Sequence, residues 1–517
     1  MSPVYARASS RFAGRRLSVG RIAVTVVGVL AVAGSVAAAA VLPAVSDATS
    51  GAPTDARWFA SYYDVTLESG EQLARSPLGD SAGGGVLAFV VAAADDDCTP
   101  TWGKAYTLDD SAKTFELDRR VERLKQAGVP LSVSFGGVIN TELASACSTV
   151  PALTDAYRTV MDRYGIDVMD LDIEGDMLTD EAARERRAEA VAALQQERVA
   201  DGGALDVWLT LPVAPSGLTD DGLAQVEAFL DAGVDLTGVN AMTMNYGADD
   251  AVSTSMSTLS IDALTATASQ LQDLWGRLGR PLPAGGVWAM MGATPMIGVN
   301  DVKGEVFTLD DATALNAFAT EKGMARLSMW SLNRDQTCGS NYPNLDRVST
   351  SCSGIEQAGQ SFASVLGEGY TGTPSGRPAP DEADAVEIAD DAATSPYPIW
   401  SSQTYYSAGV KVVWQGSVYV SKWWNEDGAE PDDPRLDTAG SAWTYLGPVL
   451  ASDVPFSLPQ LAPGTYPEWS PTALYDQGDR VMYEGTGYEA RWWSQGKQPD
   501  RSVLDHDYSP WKLLTAP

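Results

Sequence analysis

Asp170, Asp172 and Glu174 stand at alternate positions in the run Asp167-Val-Met-Asp-Leu-Asp-Ile-Glu174. On an extended strand alternate side chains share a face, so these three carboxylates point one way while Met169, Leu171 and Ile173 point the other. A solvated acidic stripe rarely alternates with Met, Leu and Ile, which bury well. Crowded carboxylates repel one another and burial disfavours their charged forms, so at least one should hold a proton near neutrality and serve as a general acid. Cleavage of a glycosidic bond needs such a group. A chance acidic run and a Ca²⁺ or Mg²⁺ site are the competing readings, and the alternation with buried residue types weighs against both.

Composition narrows the chemistry further. The 517 residues include one histidine, His506, which leaves no material for a multi-histidine metal site and to which no role is assigned. Lys and Arg number 35 against 68 Asp and Glu, a net charge of −33, which argues against a nucleic-acid partner. No metal and no cofactor is expected, and the chain is expected to act as a monomer.

Elements able to position the acids lie between about residues 56 and 366. Eight apolar runs (58–63, 85–93, 130–137, 165–175, 206–213, 236–247, 284–291 and 325–333) alternate with amphipathic stretches such as 180–198 and 220–233. That alternation predicts an α/β fold, a (β/α)₈ TIM barrel, whose active site forms at the C-terminal ends of its strands. A doubly wound open sheet is the competitor, weakened because no glycine-rich dinucleotide fingerprint follows the first strand. Glu174 would sit at the barrel mouth, with Asp172 and Asp170 successively deeper.

The N-terminus reads as an export segment. Arg7, Arg11, Arg15, Arg16 and Arg21 precede an uncharged stretch, residues 22–44, which predicts a signal peptide or a membrane anchor within residues 1–50. Either places the remainder outside the cytoplasm, as a secreted or cell-surface protein. Cys98, Cys147, Cys338 and Cys352 are then expected to form two disulfides. Three connectivities exist. Cys98–Cys147 and Cys338–Cys352 are favoured, because the first pair sits in loops after successive strands and the second closes a short loop.

Beyond the barrel, the composition changes. Residues 367–395 form an acidic, proline-containing linker, and an internal repeat follows at a constant offset: GVKVVWQGSVYVSKWW (409–424) aligns with GDRVMYEGTGYEARWW (478–493). The expected division is a barrel over 51–366, small β-modules over 396–448 and 465–517, and a second linker over 449–464. Nine of the fifteen tryptophans fall after Ser395, more than modules of about 50 residues can bury. Exposed rings stack well on pyranose faces. Trp423 with Trp424, Trp492 with Trp493, and Trp400 and Trp469 are therefore candidate sugar contacts. One ring of each pair is expected to pack inward, while Trp443 and Trp511 close the module cores.

The motifs together carry a resemblance. DVMDLDIE resembles the DGxDxDxE signature of glycoside hydrolase family 18, and Ser134-Phe-Gly136-Gly137 looks like the family's SxGG on the third strand. MTMNYG (242–247) is similar to its sixth-strand motif, and Trp330 in MWSLNRD stands where its eighth-strand tryptophan lies. The Trp-Trp segments resemble chitin-binding modules of carbohydrate-binding families 5 and 12. This likeness implies a secreted chitinase that retains configuration by substrate assistance. Glu174 would protonate the leaving oxygen, Asp172 would orient the attacking 2-acetamido group and Asp170 would tune the charge. Tyr246 would hydrogen-bond the acetamide, with Trp330, Met244 and Asn245 also contacting substrate. Chitin and N-acetylglucosamine oligomers would be the partners. Two departures stand out: Val168 replaces the family's glycine, and Asn245 replaces an aspartate common among relatives. The rival functions are a chitin-binding lectin or adhesin with a vestigial barrel, and an endo-β-N-acetylglucosaminidase acting on N-glycans.

Overall fold

The computed structural model describes residues 57–67, 83–247, 254–341, 347–373, 389–425, 430–432 and 440–515. The expected export segment and most of the acidic linker lie outside these residues. Eight parallel strands form the core: β1 (Trp58–Asp64), β2 (Gly84–Ala94), β3 (Leu131–Gly136), β4 (Val168–Asp172), β5 (Asp206–Ala214), β6 (Gly238–Met242), β7 (Met291–Thr294) and β8 (Arg326–Met329). Each pairs with its sequence neighbours, and β1 pairs with both β8 and β2, which closes the barrel. The TIM-barrel expectation is met.

The seventh strand begins later than its apolar run suggests. Gly285 and Gly286 both take positive φ, 98° and 75°, and Val287–Met290 then forms a 3₁₀ turn, so pairing starts only at Met291. Of the run, Val287, Met290 and Met291 are buried, the first two within the turn that leads into the strand.

Helices cover the outside of the sheet, and their ends are written in the sequence. Helix α1 (Val150–Tyr164) starts where the Thr149 side chain caps Ala152 N–H and stops at Gly165, which adopts the left-handed conformation. Helix α2 (Glu181–Ala200) is capped by Asp180, and α3 (Met256–Leu278) by Ser255. Inside the barrel, Trp58, Tyr62, Val168 and Trp208 pack together below the mouth. Val168, the residue in place of the family's glycine, therefore fills the barrel interior. Disulfides join Cys98 to Cys147 and Cys338 to Cys352, the favoured connectivity.

The repeat is structural as well as sequential. Strands β9 (Lys411–Trp414), β10 (Ser417–Ser421) and β11 (Trp443–Pro448) make one antiparallel sheet, and β12 (Arg480–Tyr483), β13 (Thr486–Ala490) and β14 (Trp511–Leu513) make a second of the same order. Trp443 and Trp511 are 2% and 1% exposed and close the two cores as expected.

The first module packs on the barrel helix Leu117–Gln126. Arg119 on that helix, itself buried, donates through two nitrogens to Asp453 at 2.8 and 3.1 Å and through Nη1 also to the Pro448 carbonyl. Glu116 just before the helix accepts from Lys411 and Tyr397 of the module. Arg123 donates to the Tyr445 carbonyl at 2.8 Å and lies over the Tyr445 ring.

Candidate active site and aromatic surfaces

Asp170 is the anchor of the barrel interior. Fully buried, it accepts from Tyr62 Oη (2.8 Å), Ser134 Oγ (2.7 Å), Thr210 Oγ1 (2.7 Å) and Arg326 Nη1 (2.6 Å), donors supplied by β1, β3, β5 and β8. Arg326 is equally buried. Its Nε donates to Ser328 Oγ at 2.8 Å, its Nη2 to Tyr62 Oη at 3.1 Å, and its guanidinium sits 5.0 and 5.4 Å from the Trp58 and Trp208 rings. A buried guanidinium is tolerated only with such complete pairing.

One pleat higher, the supply of donors ends. Asp172 is 4% exposed, and its Oδ1 has no hydrogen-bond partner in the protein. Burial pushes its carboxyl well above the ordinary range, reinforced by the charges of Glu174 and Asp170 and opposed by Arg326. Glu174 follows in extended backbone beyond the strand end. Its carboxyl is pushed from 4.5 to about 7, mainly by burial; a Val138 backbone hydrogen bond opposes the rise and the Asp301 charge adds to it.

Both carboxyls face a cavity of about 300 Å³ at the C-terminal ends of the strands, where the fold predicts a site. Trp330 lines it, stacked on Phe89 with ring centroids 5.3 Å apart and edge-on to Tyr62 at 6.2 Å. Peptide bonds Ala88–Phe89 and Trp330–Ser331 are both cis. Met244 and Asn245 also line the cavity, as do the exposed Val138 and Ile139 at its rim. Ser134 of the SxGG motif serves Asp170, not the cavity, and Gly136 is a close contact: a Cβ there would lie 2.1 Å from the Asp172 carbonyl oxygen. Among the described residues, no group of three or more His, Cys, Asp or Glu side chains could hold a metal ion.

Tyr246 is a correction. Its hydroxyl donates to Ser260 Oγ on α3 at 3.3 Å, its backbone N–H bonds Glu305, and its ring packs in the core between sheet and helices. It is not among the residues lining the cavity. The physical reason is Asn245, which takes φ +56°, a left-handed conformation that Asn tolerates; it turns the chain so that the tyrosine leaves the mouth and Asn245 faces it.

The module tryptophans divide differently from the expectation. Both Trp-Trp pairs lie in bends after a strand, not within one, so strand alternation does not govern them. Trp492 and Trp493 are both exposed, 42% and 60%; Trp423 is 45% exposed, and Trp424 is half-buried. Trp400 is core: 8% exposed, it packs edge-on against Trp414 with centroids 4.7 Å apart. Trp469 similarly packs edge-on against Tyr483, 5.4 Å away. In modules this small, the ring preceding the sheet is used to close the core.

Sequence reasoning missed Arg326, Tyr62 and Asp301. A lone arginine in the otherwise apolar ARLSMW strand was the available signal, since a buried guanidinium demands a carboxylate on a facing strand. Asp301 sits in a loop with no pattern to mark it.

Comparison with known proteins agrees with this geometry. A probable bifunctional chitinase/lysozyme of Escherichia coli (strain K12) is 36% identical over 286 residues, 55% of this chain and 31% of that protein. Endochitinase 11 of Metarhizium anisopliae is 34% identical over 283 residues, 54% of this chain and 52% of that one. Over these stretches the likeness is to chitinases, in keeping with the resemblance of the barrel motifs to glycoside hydrolase family 18. The chain thus spans just under a third of one of these relatives and about half of the other. Among solved structures, active domain 2 of a thermostable chitinase from Pyrococcus furiosus, solved as catalytic-site mutants complexed with chito-oligosaccharides, is similar: TM-score 0.50 and 27% identity, covering 61% of this chain and 94% of that domain. Residues 468–512 match carbohydrate-binding module family 5/12.

Proposed function

We propose that the barrel hydrolyses β-1,4 bonds between N-acetylglucosamine units of chitin, with retention of configuration and with the substrate's own acetamide as nucleophile. The observation that carries this reading is the pairing at the mouth of β4: Asp172 Oδ1, buried without a partner, lies behind Glu174, whose carboxyl titrates at about 7. A group protonated near neutrality can deliver its proton to the glycosidic oxygen. The unpartnered Asp172 oxygen is suited to accept the acetamide N–H and to hold the carbonyl oxygen against the anomeric carbon. A neighbouring nucleophile fixed in this way gains the advantage of an intramolecular reaction. Asp170, saturated by its four donors, orients the strand and sets the charge beneath, and Trp330 offers an apolar floor to the sugar.

Similarity to chitinases and the carbohydrate-binding match at 468–512 support the substrate class. Both disulfides fit an oxidising compartment, which supports action outside the cytoplasm. The test is Glu174→Gln: release of N-acetylglucosamine oligomers from chitin should fall by about three orders of magnitude or more. Release at the parental rate would reject the mechanism. NMR of the first product should show the β-anomer, and initial formation of the α-anomer would reject retention.

A further inference from the structure

The two modules are interlocked. From the second module, Leu504 packs against the core of the first, and its carbonyl accepts from Ser407 N–H at 2.9 Å. Asp507 N–H returns a bond to Ser407 Oγ at 3.0 Å, and Asp505 accepts from the Trp424 indole N–H at 3.2 Å. These contacts bring three rings together at the seam. Tyr405 lies nearly parallel to Trp424, with centroids 5.8 Å apart and planes inclined by 17°, and Tyr508 of the second module lies 5.1 Å from Trp424 with its plane tilted by 58°. Tyr405 and Tyr508 are 46% and 65% exposed. At the repeat offset Tyr405 corresponds to Leu474, and with Trp443 matched to Trp511 the counterpart of Tyr508 is Gly440, so neither module has this set of rings by itself.

We infer that Tyr405, Trp424 and Tyr508 form a single polysaccharide-binding strip built by both modules, on which one chain of a neutral β-linked N-acetylhexosamine polymer lies across the seam. This rests on the proposed function for its substrate class and adds the second module's tyrosine to the first module's surface. The occupant follows from the rings: amphipathic aromatic faces favour flat apolar sugar faces, and the chain's net charge of −33 disfavours an acidic polymer. The Asp505 bond holds Trp424 in place, so the strip is organised before it meets the polymer, which lowers the cost of binding.

Sedimentation of the full-length protein with insoluble chitin tests this in a Trp492→Ala/Trp493→Ala background, where the second module's exposed pair is gone. In that background Tyr508→Ala should weaken binding by about fivefold to tenfold, and Tyr508→Phe should not. Hydrolysis of a soluble chito-oligosaccharide and the unfolding temperature should stay unchanged, because Tyr508 is exposed and its ring supports no core. Equal binding with and without Tyr508→Ala, or no binding left in the background itself, would overturn the strip while leaving the second module's role standing. Failure of the parental protein to bind chitin would overturn both this inference and the substrate class on which it rests.

Discussion

Arg326 Nη1 lies 2.6 Å from Asp170 Oδ1, and both side chains are completely buried beneath the cavity. The pair divides the acidic strand into two chemical zones. Below, Asp170 takes the guanidinium and three hydroxyls; above, Asp172 Oδ1 receives nothing from the protein. The lower zone holds the barrel together, and the upper one is left for a ligand.

Breaking the pair should cost stability before it costs chemistry. Arg326→Met leaves Asp170 buried without its cation, a loss of about 3–5 kcal/mol. Arg326→Lys keeps the charge but cannot reach Asp170, Tyr62 and Ser328 together, so it should restore only part of this. Denaturant unfolding of the two variants checks the order, and equal stability of Arg326→Met and the parent would contradict it.

Glu174 is pushed up to about 7, so in the proposed mechanism the proton for the leaving group is held below that pH and lost above it. Above about 7, kcat/KM should fall about tenfold per pH unit. Asp301 adds to the rise through its charge. In Asp301→Asn the alkaline limb should move to lower pH by a fraction of a unit, with the acidic side of the profile unchanged. The same shift bears on stability: between 4.5 and about 7 the folded chain keeps a proton that the unfolded chain releases, so this group's contribution declines as pH rises through that window. Profiles of kcat/KM on a soluble chito-oligosaccharide decide the matter, and an unmoved limb in Asp301→Asn would rule out the coupling.

What the sequence made legible were features governed by a fixed period. Asp170, Asp172 and Glu174 could be assigned to one face because strand side chains alternate, and the barrel because its apolar runs recur with helices between them. Beyond the strand ends the period is lost. Neither the left-handed turn at Asn245 nor the bends carrying Trp423–Trp424 and Trp492–Trp493 follow from residue types, so which neighbour faced outward was not readable. Arg326 was hidden for another reason: pairing across the barrel is a relation between strands far apart in the chain.

That distinction is open to test at two adjacent residues. Tyr246 donates to Ser260 away from the cavity, whereas Asn245 lines it. Tyr246→Phe should keep kcat/KM within about twofold to threefold, since it deletes one hydrogen bond outside the site. Asn245→Ala should lower it about tenfold or more, through loss of a polar contact inside. The reverse order would return the tyrosine to the site.

The barrel and first module meet through charges that neither surface could bury alone. Arg119 is 3% exposed, held by Asp453 from the module side and by Glu116 from its own side, while Glu116 also accepts from Lys411 and Tyr397. Removing Arg119 takes the cation from Asp453 and from one oxygen of Glu116, which keeps Lys411 and Tyr397, so Arg119→Ala should destabilise this contact by about 3 kcal/mol. The contact would then rest on Glu116 with Lys411 and Tyr397 and on Arg123 with Tyr445, and the modules would reorient more readily relative to the cavity. Small-angle scattering should show an increase in the radius of gyration, and protease should cut sooner between barrel and module. Activity on a soluble oligomer should persist, because Arg119 lies outside the cavity, whereas hydrolysis of insoluble chitin should slow once the aromatic surfaces no longer hold the barrel mouth in a fixed relation to the polymer. An unchanged scattering profile would show that Asp453 and Arg119 do not hold the two parts together.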